Sequence, residues 1–547
     1  MTRLRTILLG SVAAATTVFA TPAAAQRTTR QVTPYIEAAQ VLTADLDGPN
    51  DVLTYTQLSA GIDASVQNQR VSVQVSYRYD HRIDWQDPVA QGSVHSGLAQ
   101  ASIQLTPALS FEGGALAARA RDDIRGAAPG LAGNSRNISQ LYSAYAGPTL
   151  VTHLDQTTIN AAYRFGYTKV EAPSFDFGIP GQPVLDNYDA STNHMAMASI
   201  GTRAGTYLPI GLTLSGAWER EDISQLDQRY DGKYARIDAV LPLSPTVALT
   251  AGAGYENIRL SARDAVVDPV TGAPVLDNNG RFVTDAASPR RLAYETDGLF
   301  WDAGVIWRPS ERTTLQGRVG RRYDTTSYTG SFSWAVSNRT GVNIGVYDSI
   351  DSIGRGLSDT LAALPTSFVT QPDPFGDQFS GCVFGDGQSA GGFTGVQASG
   401  GCLTPLLGAL TTASFRSRGI VGVVSTVSGP WSLGVGAGYA NRSFLVPNSG
   451  PAAVLRGIRD DMYFGQVTLG RAFDARSSLT ADAYVTYFDS GLGGAPNVLG
   501  VGGNTSYSYT FGRLGAIASL GVYAFDQNNV ASDVSGQALL GLRYSLR

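Results

Sequence analysis

Cys382 and Cys402 are the only thiols in the 547-residue chain, and both fall in one glycine-rich stretch. Two such thiols can pair, ligate a metal or stay free. A metal would need further ligands close by. None of the four histidines, His81, His95, His153 and His194, lies in that stretch, and none stands at metal-ligating spacing. In an oxidising compartment the pair is expected to be a disulfide. Closing a loop of about 20 residues would stabilise it by roughly 3 kcal/mol in the chain-entropy view. The sequence holds no Walker motif and no G-x-G-x-x-G dinucleotide fingerprint, and its one G-x-S-x-G match, Gly387 to Gly391, falls in the glycine-rich stretch between the two cysteines. No catalytic residue, metal or cofactor is therefore assigned, and the chain is expected not to be an enzyme. The other chemistry is charge spaced along alternating segments: Arg78, Arg82, Arg164, Arg236, Asp238, Asp302, Arg308, Arg318, Arg442, Asp482 and Arg543.

Period two governs the elements that carry these charges. Val71, Val73, Val75, Tyr77 and Tyr79 alternate with Ser72, Gln74, Ser76, Arg78 and Asp80. A strand points successive side chains to opposite faces, so this segment has one apolar and one polar face. The same alternation runs through 157–169, 299–308, 479–487 and 537–546. A soluble sandwich also alternates. Here the strands run to roughly 11–15 residues against a usual 5–6, long enough to cross a bilayer at a tilt. Tyr77, Tyr79, Tyr167, Trp307, Trp431, Tyr439, Tyr487 and Tyr544 sit near strand ends, as aromatic girdles require.

The connections alternate in length. Short links fall at 68–69, 106–107, 154–156, 209–210, 244–245, 309–310, 337–339, 429–430, 474–476 and 511–512. Long polar loops fall between them, most clearly at 122–136, 171–190, 261–291, 348–413, 446–457 and 491–504. This predicts an all-β fold: a single transmembrane antiparallel β-barrel of about 22 strands, within 18–24, with short periplasmic turns and long outer loops. Lipid cannot satisfy an open sheet edge, so the barrel must close. These charges then face the lumen. A sequence echo, Pro-Val-Leu-Asp-Asn at 183–187 and 274–278, reads as similar hairpin chemistry in two outer loops.

The start of the chain sets the compartment. Arg3 and Arg5, an apolar stretch over 7–20 and Ala23, Ala24 and Ala25 read as a signal peptide over 1–25, cleaved before Gln26. The barrel domain is then 26–547. Its first strand begins near Val32, which leaves no room for a preceding plug domain and argues against a TonB-dependent transporter. The formal net charge of -5 excludes a general nucleic-acid binder. The expected location is the cell outer membrane, with membrane lipid as one partner.

The long loop 348–413 exceeds what a bare connection needs. Ile353, Leu357 and Leu361 have helical spacing and Pro365 follows, predicting a short amphipathic helix over 351–363. A barrel of this size has a wide lumen. The stapled loop either folds inward and narrows it or stands outside as a cap. Arginine outnumbers acid among the lumen charges, so either a mild anion preference or paired rows that brace the wall would follow.

The stretches Val32-Thr-Pro-Tyr-Ile-Glu-Ala-Ala-Gln-Val-Leu-Thr-Ala-Asp, Asp51-Val-Leu-Thr-Tyr-Thr-Gln-Leu-Ser-Ala-Gly-Ile-Asp-Ala-Ser and 70–79 resemble large outer-membrane β-barrels associated with PEP-CTERM and exosortase systems. The resemblance spans most of the chain and is specific for architecture. It implies a role near exopolysaccharide export. One departure is the end, Tyr544-Ser545-Leu546-Arg547, where many outer-membrane barrels finish on Phe or Trp. Insertion by the barrel-assembly machinery is still expected. Two functions follow as expectations: a porin-like channel or exporter for small solutes or surface polysaccharide, and a closed-lumen surface or scaffold protein whose outer loops contact envelope polymers or proteins.

Overall fold

The computed structural model describes residues 29–47, 52–85, 92–121, 138–171, 185–370, 374–375, 379–386, 399–527 and 531–546. The signal peptide at 1–25 and the outer loop at 122–136 lie outside the described residues. Twenty-two strands form one antiparallel sheet. The first strand, Thr29–Asp45, pairs with its neighbour Val52–Gln67 and also with the last, Ala531–Ser545, from Tyr35↔Ser545 to Asp45↔Ser535. The sheet thus closes on itself, and every strand has two partners.

Alternation sorts the two faces. On the first strand Ile36 is 52% exposed and Leu42 49%, whereas Val41 between them is 0% exposed. Around the ring Ile200, Leu214, Ile237, Leu299, Leu520 and Leu540 also stand out from the wall. Apolar area left in water costs roughly 25 cal/mol per Å², so a belt of this extent calls for a hydrocarbon surround. Strand lengths run from 10 residues, Thr313–Arg322, to 20, Arg291–Ser310. All ten short links predicted from sequence lie at one rim, and the long loops lie at the other.

Three boundaries differ from the sequence reading. The first strand starts at Thr29 rather than Val32. The strand before the long loop continues to Asp351, so the loop is 352–413. The segment assigned to an outer loop at 491–504 enters the wall at Val498. Its glycines look loop-like in sequence but serve close packing. A Cβ on Gly502 would come within 2.6 Å of the Tyr523 ring and 2.7 Å of the Tyr484 ring. Large inward tyrosines on both neighbouring strands take the volume that Gly502 leaves.

At the outer rim the loop 263–290 folds into a ribbon through the bridges Ala265↔Thr284, Val267↔Pro274 and Leu276↔Phe282. Asp186 of the neighbouring loop accepts bonds from Phe282 N (2.9 Å) and Gln225 Nε2 (2.7 Å). Burial pushes the Asp186 carboxyl up to about 7, against about 3.9 in an open chain. The docked loops therefore hold a proton that the undocked loops release between about pH 4 and pH 7, and their docking weakens as pH rises across that window. Hydrogen exchange of 275–283, corrected for intrinsic rate, should be roughly tenfold to a hundredfold faster at pH 8 than at pH 5. Asp186→Asn should remove the difference. A pH dependence that survives the substitution would assign it to another group.

Candidate functional site

The long loop is the feature that sets this lumen apart. Helix α1, Ile353–Ala363, starts where Ser352 caps it by accepting from Arg355 N, and this places the helix two residues later than the periodicity suggested. A two-stranded ribbon follows, Cys382–Phe384 with Gly400–Cys402, closed by the Cys382–Cys402 disulfide. A short helix α2, Thr404–Leu407, leads back to the wall at Ser414. Together these segments form a strap.

The strap lies inside the barrel, because its partners are inward-facing wall residues. Phe368 and Gln74 exchange two bonds, Gln74 Nε2 to Phe368 O (2.7 Å) and Phe368 N to Gln74 Oε1 (2.9 Å). Gln100 Nε2 donates to Leu361 O at 2.9 Å. Arg164 pairs with Asp359 at 2.9 Å. On the opposite wall Cys382 N donates to Gln466 Oε1 (2.6 Å) and Arg442 Nη1 to Ala409 O (2.9 Å). The apolar side of α1 supplies Ile353, Leu357 and Leu361, all fully buried in a cluster with Leu98, Leu141 and Tyr188. The first turn of α1 is anchored by charge. Arg355 faces Glu221 (3.4 Å), Glu219 (3.5 Å) and Asp351 (3.9 Å), and Ser352 Oγ donates to Glu221. Its guanidinium also lies 3.4 Å from the Tyr230 ring centre.

The lumen charges named from sequence fall into separate groups. Arg236, Asp238, Asp302 and Arg318 form a four-membered lattice in which each arginine reaches both aspartates at 2.7–2.8 Å. The lattice lies flat because Gly252 stands between Asp238 and Asp302 in register. A Cβ there would meet Arg236 Nη2 at 2.1 Å. Arg78 pairs with Asp80 (2.7 Å) and Glu37 (3.0 Å), and Arg543 reaches Glu37 from the last strand (3.4 Å). Arg442 is matched by Asp460 at 2.5 Å. Asp482 accepts from Gln466 (2.8 Å) and Thr468. Arg82 packs over the Tyr55 ring and donates to Phe375 O of the strap at 3.5 Å. Arg308 makes no ion pair among the described residues.

Sequence reasoning missed Glu37, Asp80, Asp359 and Asp460, which answer these arginines, and Glu219 and Glu221, which answer Arg355. Alternation gives the face of a residue but not its neighbour across the strand. Among the described residues every named arginine except Arg82 and Arg308 faces an acid, as paired rows that brace the wall would. It also missed Arg322, which pairs with Glu256 (2.6 Å) among the rings of Tyr234, Phe300 and Tyr323.

The strap does not fill the barrel evenly. Between Asp359 on α1 and the wall strands 211–351 remains a cleft of about 170 Å³, lined by the charge lattice with Tyr234, Gln316, Ser327 and Thr329. Among the described residues no group of three or more His, Cys, Asp or Glu side chains is placed to hold a metal. His95 and His194 point outward and bond tyrosine hydroxyls, Tyr77 at 2.6 Å and Tyr163 at 2.7 Å, which places them in the aromatic girdle. The site can therefore hold, admit or exclude a polar solute. It shows no arrangement of nucleophile and base.

No family model matches the chain, and no curated protein is similar to it in sequence. Among solved structures it is similar to the FrpB iron transporter from Neisseria meningitidis, at 10% identity over 94% of this chain and 82% of that one, with a TM-score of 0.43. It is similar to the ferric-catecholate import receptor Fiu from E. coli at 10% identity, 94% and 81% coverage and a TM-score of 0.42. It is also similar to the siderophore receptor PirA from Acinetobacter baumannii at 9% identity, 95% and 81% coverage and a TM-score of 0.40. At these values the likeness stops at barrel architecture.

Proposed function

We propose that the protein is an outer-membrane channel for small polar solutes, porin-like or an exporter, whose lumen is narrowed by its own strap to one eccentric cleft. The observation that carries this reading is the strap itself, bonded to inward wall residues on two sides and leaving the cleft along strands 211–351 open. Water-filled lumens are lined by polar and charged side chains, and the cleft carries the charge lattice beside the rings of Tyr234, Phe300 and Tyr323. Its ion pairs are internally matched, so selectivity between anions and cations should be weak. A surface polysaccharide threading the same cleft is the finer form of the reading and rests on the sequence resemblance. In this reading residues 1–25 direct export, and the barrel-assembly machinery inserts the wall with the short turns in the periplasm.

The second reading is a closed scaffold. The buried pairs Arg164–Asp359 and Arg355–Glu221 favour it, since they hold the strap in one position. Single-channel conductance of the refolded protein in a planar bilayer separates the two. A stable conductance that steps up on adding reductant supports the channel and places the stapled ribbon in its path. A folded barrel that stays silent in both conditions supports the scaffold.

A further inference from the structure

We infer that the lipid-facing wall between strands Arg459–Ala472 and Leu514–Gln527 carries a seat for one anionic phospholipid of the leaflet on the short-turn side. The inference rests on reading the barrel as membrane-spanning. It concerns the outer surface of the wall, not the lumen.

The first observation is a groove. Over four adjacent strands, Ala481, Ala483 and Gly503 make a floor of small residues, with Leu469 on one flank and Leu520 and Val522 on the other. The register places them side by side, Leu469↔Ala481 and Ala483↔Gly503. The groove holds about 530 Å³. Leu520 and Val522 are exposed beside it, so nothing among the described residues covers it. Leu469, Leu520 and Val522 stand up on either side of this floor. Here the wall is recessed, and a disordered acyl chain gains contact area by lying along it.

The second observation is a cation at one end. Arg471 follows Leu469 on the same face, one step nearer the short turns, where it lies in register with Trp431. Its guanidinium is held 4.6 Å from the Trp431 ring centre and 4.8 Å from that of Phe473. Arg471 is exposed and makes no ion pair among the described residues. A lipid-facing arginine is tolerated only near the interface, and an aromatic clamp is what an interfacial belt supplies. The rings fix the guanidinium plane without neutralising it, leaving its donor edge for an anion. Apolar groove above and unpaired cation below match a two-part ligand, an acyl chain and a phosphate. A free phosphate would use only the lower part and a neutral lipid only the upper.

Native mass spectrometry of the full-length folded protein from neutral detergent tests this. The probes are phosphatidylglycerol and phosphatidylcholine with identical palmitoyl-oleoyl chains. The wild type should retain one phosphatidylglycerol, about fivefold more than phosphatidylcholine, the order one arginine at a membrane surface supplies. Arg471→Gln should equalise the two lipids. Ala483→Phe, which fills the groove with apolar bulk, should lose both. Equal retention by the wild type, a preference that survives Arg471→Gln, or unchanged retention in Ala483→Phe would each overturn the seat. Heat-modifiable gel mobility confirms folding of every variant. Failure of the wild type to insert into liposomes would instead defeat the membrane reading itself.

Discussion

Replacing residues 353–412 by a short glycine–serine turn should raise single-channel conductance about tenfold or more, since barrels of about 16 to 18 strands already enclose an aqueous channel. The wall should survive the excision, because all 22 strands keep both neighbours without the strap. The charges it leaves behind, Arg164, Glu219 and Glu221, would be hydrated by the channel water that replaces it. They avoid the penalty of a buried unpaired charge, which applies only where water stays out. Planar-bilayer recordings, with heat-modifiable mobility as the folding control, give the answer. An excised barrel that folds yet conducts no more than the wild type would show that the strap does not obstruct the lumen.

Arg355→Ala should release the strap without harming the wall. Among the described residues it removes the one cation paired with the buried carboxylates of Glu221 and Asp351. Losing one partner of a buried pair costs about 3–5 kcal/mol, because the remaining charge stays desolvated. The cost falls on docking of the strap rather than on strand pairing. Relief comes when α1 leaves its seat and water reaches the carboxylates. The expected result is long-lived high-conductance openings in a channel whose thermal unfolding is little changed. Adding Glu221→Gln to Arg355→Ala should reverse much of the effect by removing one stranded charge. A single variant that gates like the wild type would place the strap's anchorage elsewhere, in the Arg164–Asp359 pair or the apolar face of α1.

The wall was legible because its rule is local. Period two along Val71–Asp84 or Thr157–Glu171 needs no partner to be seen, and turn residues such as Asn68 and Gly429 mark the short rim unaided. The helix in the long loop and the pairing of Cys382 with Cys402 were legible for the same reason, since spacing and compartment carry both. The interior was not. Whether the loop turned in or out depended on contacts between residues far apart in the chain, such as Gln74 with Phe368. The acids Glu219 and Glu221 sit at the outer end of their strand, where sequence alone does not separate wall from loop. The 491–504 error has the same origin: Gly502 reads as loop until Tyr484 and Tyr523 are known to fill its place.

Phe375 of the strap is buried among Val41 and Tyr55 of the first two strands and Ile517, Tyr523 and Leu539 of the last two. Those four strands meet where the two ends of the chain join, the last place at which the ring can close during synthesis and insertion. A side chain from the middle of the sequence therefore acts as a clasp on a joint between its beginning and its end. Closing the wall completes the pocket that Phe375 of the strap fills. A chain stalled before its final strands would lack the wall contacts for Phe375, and one whose strap is misplaced would close over an unfilled joint. One phenylalanine from the middle of the chain thus finds its full set of neighbours only where both ends have paired.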